Sequence, residues 1–411
     1  MTETDMTDAT VLEPLWTLSA QDDPFPVYED LRSGGPIVGA GPEWVSTDYA
    51  VCNAVLRDRR FGVRSLGDPG PTSEDTTGNT LDLGFLEREP PDHTRLRRLA
   101  APAFRSKMMA GYAERIADFT TGLITGIERR AAAEPDRPFD LIADFAAPLP
   151  IGVITTLMGI PDADVDRLSR HGAVVGSALS GIDTPEAAVA LAAANAELYD
   201  LFSELIPLKR AHPGDDVISY LVAATPDGIT PYELHTTARL LLIAGFETTV
   251  NLIGNGVAAL LDHPEQWELL RAEPERAADV VEEVLRYAPP VQNTSRWTHE
   301  AVTVGGVDLP AGTWVLLLLA AANRDPKVFG NPAAFDVTRP RQAEHLAFSS
   351  GIHYCLGAPL ARLEAQVAFT ELAARLPKLH RPQPTGASAD TPSWRASRVI
   401  RGYARLPLLA G

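Results

Sequence analysis

Only two cysteines occur in 411 residues, and one of them, Cys355, lies in the stretch FSSGIHYCLGAPLAR, residues 348 to 362. Gly351 and Gly357 flank it, and His353 stands two positions ahead. The run that follows, APLARLEAQVAFTELAARL, has the apolar spacing of an amphipathic helix. Glycines suit a backbone that must lie close to something flat and large. A thiolate just ahead of a helix receives amide hydrogen bonds and a favourable helix dipole. A sulfur so placed is suited to axial ligation of haem iron; a nucleophile and a small buried residue are its other readings. Zinc, with His353 and His345, would need further ligands at short spacing, and the chain has no CxxC.

Three further groupings could do chemistry. AGFETT, residues 244 to 249, places Glu247 and Thr248 in the middle of an apolar helical run, where a carboxylate is costly to bury without a role. Gly245 leaves room beside them, and mid-helix Thr248 can also bond back to the i−4 carbonyl and bend the helix. EEVLR places Glu283 and Arg286 three apart on one helix face, the spacing of an ion pair. HTRLR places His93 and Arg97 four apart, again on one face.

The elements that must position these groups are mostly helical. TPYE, from Thr230 to Glu233, is a capping box with Pro231 in the first turn, opening a helix expected to reach Leu261. At about 1.5 Å per residue such a helix is on the order of 46 Å long, so its middle lies deep in the body. Helices are also expected over 23–32, 48–58, within 87–104, through most of 108–221, over 273–287 and after Cys355. Short strands are expected near Ile37 and Trp44, on both sides of Gly305-Gly306, in TWVLLLL and in the tail VIRGYARLPL. Residues 62 to 84, rich in Gly, Pro, Asp, Ser and Thr, read as a long loop. Cys52, among Val51, Val55 and Leu56, reads as a small core residue.

Together these motifs resemble the cytochrome P450 haem-thiolate monooxygenases of the soluble bacterial type, over about Asp23 to Leu408. The family's pattern Phe-Gly-x-Gly-x-His-x-Cys-x-Gly is matched by Phe348, Gly351, His353, Cys355 and Gly357, with Ser349 standing at a glycine position. The resemblance implies a mainly α fold with a minor β part, and haem b held between the long central helix and the cysteine loop with its following helix. Cys355 is then the axial ligand of the iron. His93, Arg97, Arg296 and His353 bind the propionates, while Ala244 and Gly245 lie along the haem. Glu247 and Thr248 form the acid and alcohol pair that supplies protons for O–O cleavage. Glu283, Arg286 and Arg339 form an ion network behind the cysteine loop. The implied substrate pocket is lined by Leu81, Phe85, the 171–195 region, Leu241, Ala244, Val291, Gln292, Asn293, Thr294, Val399 and Ile400. Most of these are apolar, which fits a hydrophobic mid-sized substrate such as a terpenoid, steroid or polyketide.

The implied reaction inserts one atom of O2 into a C–H or C=C bond. No GxGxxG opens a βαβ unit, so electrons are expected from a separate ferredoxin or flavodoxin; Arg95, Arg98 and Arg362 are candidates for its docking patch. A haem-binding sensor on the same fold and a peroxide-driven enzyme are the alternatives; the Glu247-Thr248 pair favours turnover with O2. A hydrolase is the most distant reading, since GxSxG is absent.

Composition bounds the rest. Hydrophobic residues make up 45% and charged residues 22%, as in a large-cored globular protein. A net charge of −18 disfavours nucleic-acid binding. The N-terminal fifteen residues show neither a basic region nor an apolar core, so no signal peptide is expected. Glu247 near the middle of the most apolar segment argues against a membrane span. The expectation is a loose segment over 1–20, one catalytic domain over 21–411, a monomer and a cytoplasmic location.

Overall fold

The computed structural model describes residues 11–16, 23–68, 70, 82–177, 184–225, 228–341, 343–383, 391–395 and 397–411. Helix α1 (Phe25–Ser33) leads into strands β1 (Val38–Ala40) and β2 (Glu43–Ser46), helix α2 (Tyr49–Arg57) and strand β3 (Phe61–Gly62). Helix α3 (Asp92–Ala100) falls within the stretch 87–104, directly after Pro91. Then come α4 (Ser106–Ala133), β4 (Phe139–Asp140), α5 (Pro148–Met158), α6 (Val165–Ser177), α7 (Pro185–Ala211), α8 (Val217–Ala223) and α9 (Pro231–Asp262). The C-terminal third holds α10 (Pro264–Ala272), α11 (Ala277–Tyr287), β5 (Thr294–Thr298), β6 (Val302–Val304), β7 (Val307–Leu309) and β8 (Trp314–Leu317). It ends with α12 (Leu319–Ala322), α13 (Ala358–Arg375), β9 (Ser393–Trp394), β10 (Tyr403–Arg405) and β11 (Pro407–Leu408).

The largest sheet has the order β1-β2-β8-β5-β3, with β2 and β8 parallel and its other pairs antiparallel. It packs on α1 and α2 through two small cores, one of which includes Leu12 and Leu15. The described part of the segment expected to be loose is therefore packed against the sheet. The main core lies among α3–α11 and α13.

Helix α9 is the axis of that core. The Thr230 hydroxyl accepts from the Glu233 amide while the Glu233 carboxylate accepts from the Thr230 amide, which completes the capping box read in the sequence. The helix is long and apolar enough to cross a membrane, but 83% of its most apolar window is buried inside the fold. It meets α13 at close range. A Cβ on Gly256 would overlap the buried ring of Phe369, with the next ring atom at 2.8 Å, so only glycine allows this approach. Ala244, by contrast, is exposed within an otherwise buried stretch of α9, which marks an open space beside the helix.

Behind that space a buried ion network holds an irregular segment in place. The Glu283 carboxylate accepts from Arg286 Nη2 at 2.7 Å and Nε at 2.8 Å, from Arg339 Nε at 3.3 Å and from the Asp336 amide at 2.9 Å. Arg286 also donates to the carbonyls of Asn323, Pro332 and Ala334, and Arg339 donates to those of Gly330, Asn331 and Ala334. The side chains of Glu283 and Arg286 are 5% and 3% exposed, so this is not a solvated surface pair.

The loop that follows turns through two left-handed residues, Ser349 with φ 61 and Gly351 with φ 69. Gly351 is required, because a Cβ there would overlap the Leu56 carbonyl and meet Arg57 Cα at 3.1 Å. Ser349 adopts the angle of the glycine usual in the family pattern, and its buried hydroxyl has no partner.

Two outcomes are expected from this geometry. Glu283→Gln should destabilise the protein by about 3–5 kcal/mol in urea unfolding, because two buried guanidinium groups lose their counter-charge. Ser349→Gly should raise stability by about 1 kcal/mol, since relief of the left-handed backbone and of a buried hydroxyl outweighs the added freedom of the unfolded chain. A loss of stability in the second variant would show that Ser349 contributes a contact.

Candidate cofactor and active site

Cys355 sits where the loop enters α13. Its amide donates to the Phe348 carbonyl at 2.9 Å, and its sulfur faces the amides of Gly357 and Ala358. Burial pushes the thiol pKa up, and those amides with Arg97 and Arg362 act against the shift. Gly357 has φ −81, so it is not needed for a left-handed turn; a Cβ there would lie 4.0 Å from the Cys355 sulfur.

Four nitrogen-bearing side chains converge near this loop. His93 on α3 is 2% exposed, and its ring lies 4.3 Å from that of His353. Both ring nitrogens of His93 and Nε2 of His353 are buried without a partner. Arg97, one turn along α3, donates to the Tyr354 carbonyl at 2.5 Å. Arg296 on β5 is 5% exposed and donates to Thr294 Oγ1 at 3.2 Å and to the Ser295 carbonyl at 2.7 Å. Among the described residues neither arginine forms an ion pair, although ion pairs are common elsewhere in the molecule. Desolvation, the largest cause in each case, lowers the pKa of His93 to about 4, of His353 to about 3 and of Arg296 to about 10. A dry, cationic recess of this kind is stabilised by a bound dianion and is costly without one.

Across the space, Thr248 Oγ1 donates to the Ala244 carbonyl at 3.0 Å. The back-bond weighed from the sequence is therefore present, and Thr248 stands one turn from the exposed Ala244, whereas the open side of Gly245 is filled by Ile154. Glu247, 4% exposed, turns away from that opening and accepts from Arg395 Nη1 at 3.0 Å. Burial raises its pKa, partly offset by Arg395.

The pocket residues divide. Phe85 and Leu241 are buried apolar side chains. Val291 pairs with Ile400, and the Gln292 amide donates to the Val399 carbonyl at 2.8 Å, which joins the two segments as expected. The polar side chains of this segment are engaged with the protein itself. Gln292 Nε2 donates to the Pro289 carbonyl at 2.6 Å and its Oε1 accepts from Tyr28. Asn293 Nδ2 donates to the Arg398 carbonyl at 2.7 Å, and Thr294 is the acceptor for Arg296. Leu81 and residues 178–183 lie outside the described residues.

Two of the arginines considered for docking are neutralised locally. Arg95 pairs with Asp92 and Glu233 and donates to the Gly228 carbonyl. Arg362 pairs with Glu282 at 2.6 Å, stacks over Phe348 at 4.6 Å and donates to the Tyr354 hydroxyl at 3.2 Å. Arg98 is exposed. Sequence reasoning missed Arg395, which sits in an extended tail without periodicity. It also missed a buried cluster: Asp82 pairs with Arg88, and Arg239 donates to the Asp82 carbonyl and to Asn195. An arginine inside the apolar run ARLLLIAGF was the available signal for that cluster.

Comparison with known proteins places this geometry. The Cytochrome P450 family model matches residues 203–376. Cytochrome P450 107B1 of Saccharopolyspora erythraea is 43% identical over 385 residues, covering 90% of this chain and 89% of that protein. Cytochrome P450 monooxygenase PikC of Streptomyces venezuelae is 40% identical, over 94% of this chain and 91% of that protein. The solved structure of P450BioI, in complex with an acyl carrier protein bearing hexadec-9Z-enoic acid, superposes with a TM-score of 0.85. It is 35% identical and covers 95% of this chain and 99% of that one. The chain belongs to the cytochrome P450 family: it is a monooxygenase of the cytochrome P450 fold whose cofactor is haem b.

Proposed function

We propose that this chain holds haem b through Cys355 and oxidises a hydrophobic, mid-sized organic substrate with electrons from a separate ferredoxin-type partner. The observation that carries the reading is the recess of Arg97, Arg296, His93 and His353. It gathers two desolvated cations and two imidazoles with orphaned nitrogens, beside a cysteine backed by helix amides. Two carboxylates of one flat group would satisfy those donors together, and the exposed Ala244 leaves room for its apolar body.

When bound, haem with a thiolate ligand supplies the cleavage of O2, one oxygen atom entering the substrate and the other leaving as water. The protein's own groups do the rest. His93, Arg97, Arg296 and His353 would hold the propionates. The amides of Gly357 and Ala358 stabilise the Cys355 sulfur as thiolate. Thr248 and Glu247 would hold and pass the protons that the reaction consumes. Phe85, Leu241, Val291, Val399 and Ile400 give the substrate an apolar surface that excludes water. Gln292 and Asn293 shape that surface by bonding the backbone rather than by offering free amides. Residues 21–411 act as one catalytic domain. A polyketide, steroid, terpenoid or fatty acyl chain would suit such a pocket; the acyl chain carried in the P450BioI complex is one example from a relative.

The decisive measurement is the absorption spectrum of the reduced, carbon monoxide-treated protein. The long-wavelength Soret band typical of thiolate ligation is expected, and Cys355→Ala should abolish it. A histidine-type band in the wild type would overturn the reading. A second expectation concerns pH. In the cofactor-free protein both imidazoles have folded pKa values below the usual 6.5, so the unfolded chain takes up protons first as pH falls. Stability should then drop between about pH 6.5 and 4, by up to about 1.4 kcal/mol per pH unit for each histidine. Urea unfolding of the cofactor-free and haem-loaded forms at several pH values checks this; loading should flatten the dependence, because the propionates favour protonated partners.

A further inference from the structure

Helix α9 carries two adjacent buried threonines, Thr236 and Thr237, 3% and 0% exposed. A threonine inside a helix ordinarily donates its hydroxyl proton to the carbonyl three or four residues back. Among the described residues the other buried helical threonines do so. Thr120 donates to the Ile116 carbonyl at 2.7 Å, Thr155 to that of Ile151 at 2.9 Å, Thr249 to that of Gly245 at 3.4 Å and Thr236 to that of Glu233 at 3.2 Å. Thr237 does not, and its Oγ1 is buried without a partner among the described residues. The cause is local. The carbonyl four residues before Thr237 is that of Glu233, which already receives the Thr236 hydroxyl. In a regular α-helix it also receives the Thr237 amide, so both of its lone pairs are used.

The place of this hydroxyl gives it meaning. At about 100° per residue, Thr237, Leu241, Ala244 and Thr248 lie within about 60° of one another around α9. Thr237 therefore heads the stripe that runs down to the exposed Ala244, and it stands about 10 Å along the axis from that residue. A turn closes the stripe at this end. Gly84 has φ 54, and a Cβ there would meet the Thr236 carbonyl oxygen at 3.1 Å and Thr237 Cα at 3.3 Å, so the turn lies backbone to backbone on α9. The next residue, Phe85, brings its ring to 6.2 Å from that of His93 in the cationic recess. The orphaned hydroxyl is thus held beneath a turn that also reaches the recess, at the end of the stripe remote from Thr248.

We propose that Thr237 is a specificity-determining residue of the pocket, donating a hydrogen bond to an oxygen that the substrate carries at the end remote from the carbon being oxidised. The proposal deepens the reading of the space beside Ala244 as the place of haem and substrate, and rests on it. The substrate class that follows is an apolar body with a carbonyl, ether or hydroxyl oxygen about 10 Å from the oxidised carbon. The oxygen must accept, because the Glu233 carbonyl leaves the Thr237 proton without an acceptor. A hydrocarbon of the same shape leaves that hydroxyl buried and unmet, which is how one residue discriminates between the two.

The test uses haem-loaded protein and imidazoles whose second nitrogen carries an alkyl chain. The free ring nitrogen binds the haem iron, and the chain ends in a methyl ketone or in the matching hydrocarbon. Spectral titration gives Kd for each pair over chains from butyl to dodecyl. Wild type and Thr237→Ser should bind the ketone about tenfold more tightly than the hydrocarbon at one intermediate length, where the ketone C=O stretch should also fall in frequency. Thr237→Val should lose both the preference and the frequency shift while binding the hydrocarbons as wild type does. Without ligand, urea unfolding should find Thr237→Val no less stable than wild type, because a methyl replaces an unmet hydroxyl. The same ketone-to-hydrocarbon ratio in wild type and Thr237→Val at every length overturns the proposal. So does a loss of stability in Thr237→Val, which would give the hydroxyl a partner inside the protein. A wild type that shows no nitrogen-ligand spectrum with any of the imidazoles removes the haem reading, and the proposal with it.

Discussion

The cysteine side of this protein depends on one buried carboxylate. Glu283 faces two guanidinium groups and a backbone amide at once, and those guanidinium groups bind carbonyls spread between Asn323 and Ala334. That segment has almost no regular structure, so its carbonyls have no helix or sheet partners and would be costly to bury. Arg286 and Arg339 supply the missing donors. The charge they bring into the interior is balanced by Glu283, and each of the three needs the other two. The cysteine loop follows directly, and Asn323 Oδ1 accepts from the Leu346 amide at 2.6 Å, which carries the anchoring up to the turn at Ser349. Position in this site comes from an ionic lattice more than from apolar packing.

The opposite wall obeys a different constraint. Helix α9 is largely buried, yet it carries Glu247, Asn251 and Asn255 through its centre. Asn255 donates to the Ala288 and Arg401 carbonyls and so joins α9 to the ends of α11 and of the C-terminal hairpin. Glu247 is paired from the same hairpin. The polar residues of α9 therefore draw the hairpin onto the helix, and the hairpin in turn brings Val399 and Ile400 beside Val291. Between the walls, the recess of His93, Arg97, Arg296 and His353 keeps desolvated donors without carboxylates. Strain of this kind is tolerated where function needs a prepared surface for a charged ligand.

Much of this was legible in residue order because it depends on local physics. The Thr230 capping box with Pro231 in its first turn and the Gly305-Gly306 turn follow from a few neighbouring residues, whereas helix α10 was not expected. The i, i+3 pair Glu283-Arg286 and the i, i+4 pair His93-Arg97 follow from helix spacing. Their meaning did not. The same spacing describes many solvated pairs, and only the 3% and 5% exposure of the Arg286 and Glu283 side chains separates a structural centre from an ornament of the surface. Arg95 and Arg362 show the reverse: read as free surface charges, both are bound to nearby carboxylates.

What the residue order determined by itself was therefore the set of elements and the chemistry available: a cysteine between glycines ahead of a helix, an acid and alcohol inside a long apolar helix, and cations on one helical face. Tertiary structure decided which of those groups are dry and which partners they meet. Gln292 and Asn293 became backbone clamps, Ser349 took a left-handed angle beneath Cys355, and Arg395 crossed 148 residues to reach Glu247. The physical reason is that burial sets the strength of every polar contact here. Desolvation is a property of the packed interior, which no stretch of neighbouring residues contains.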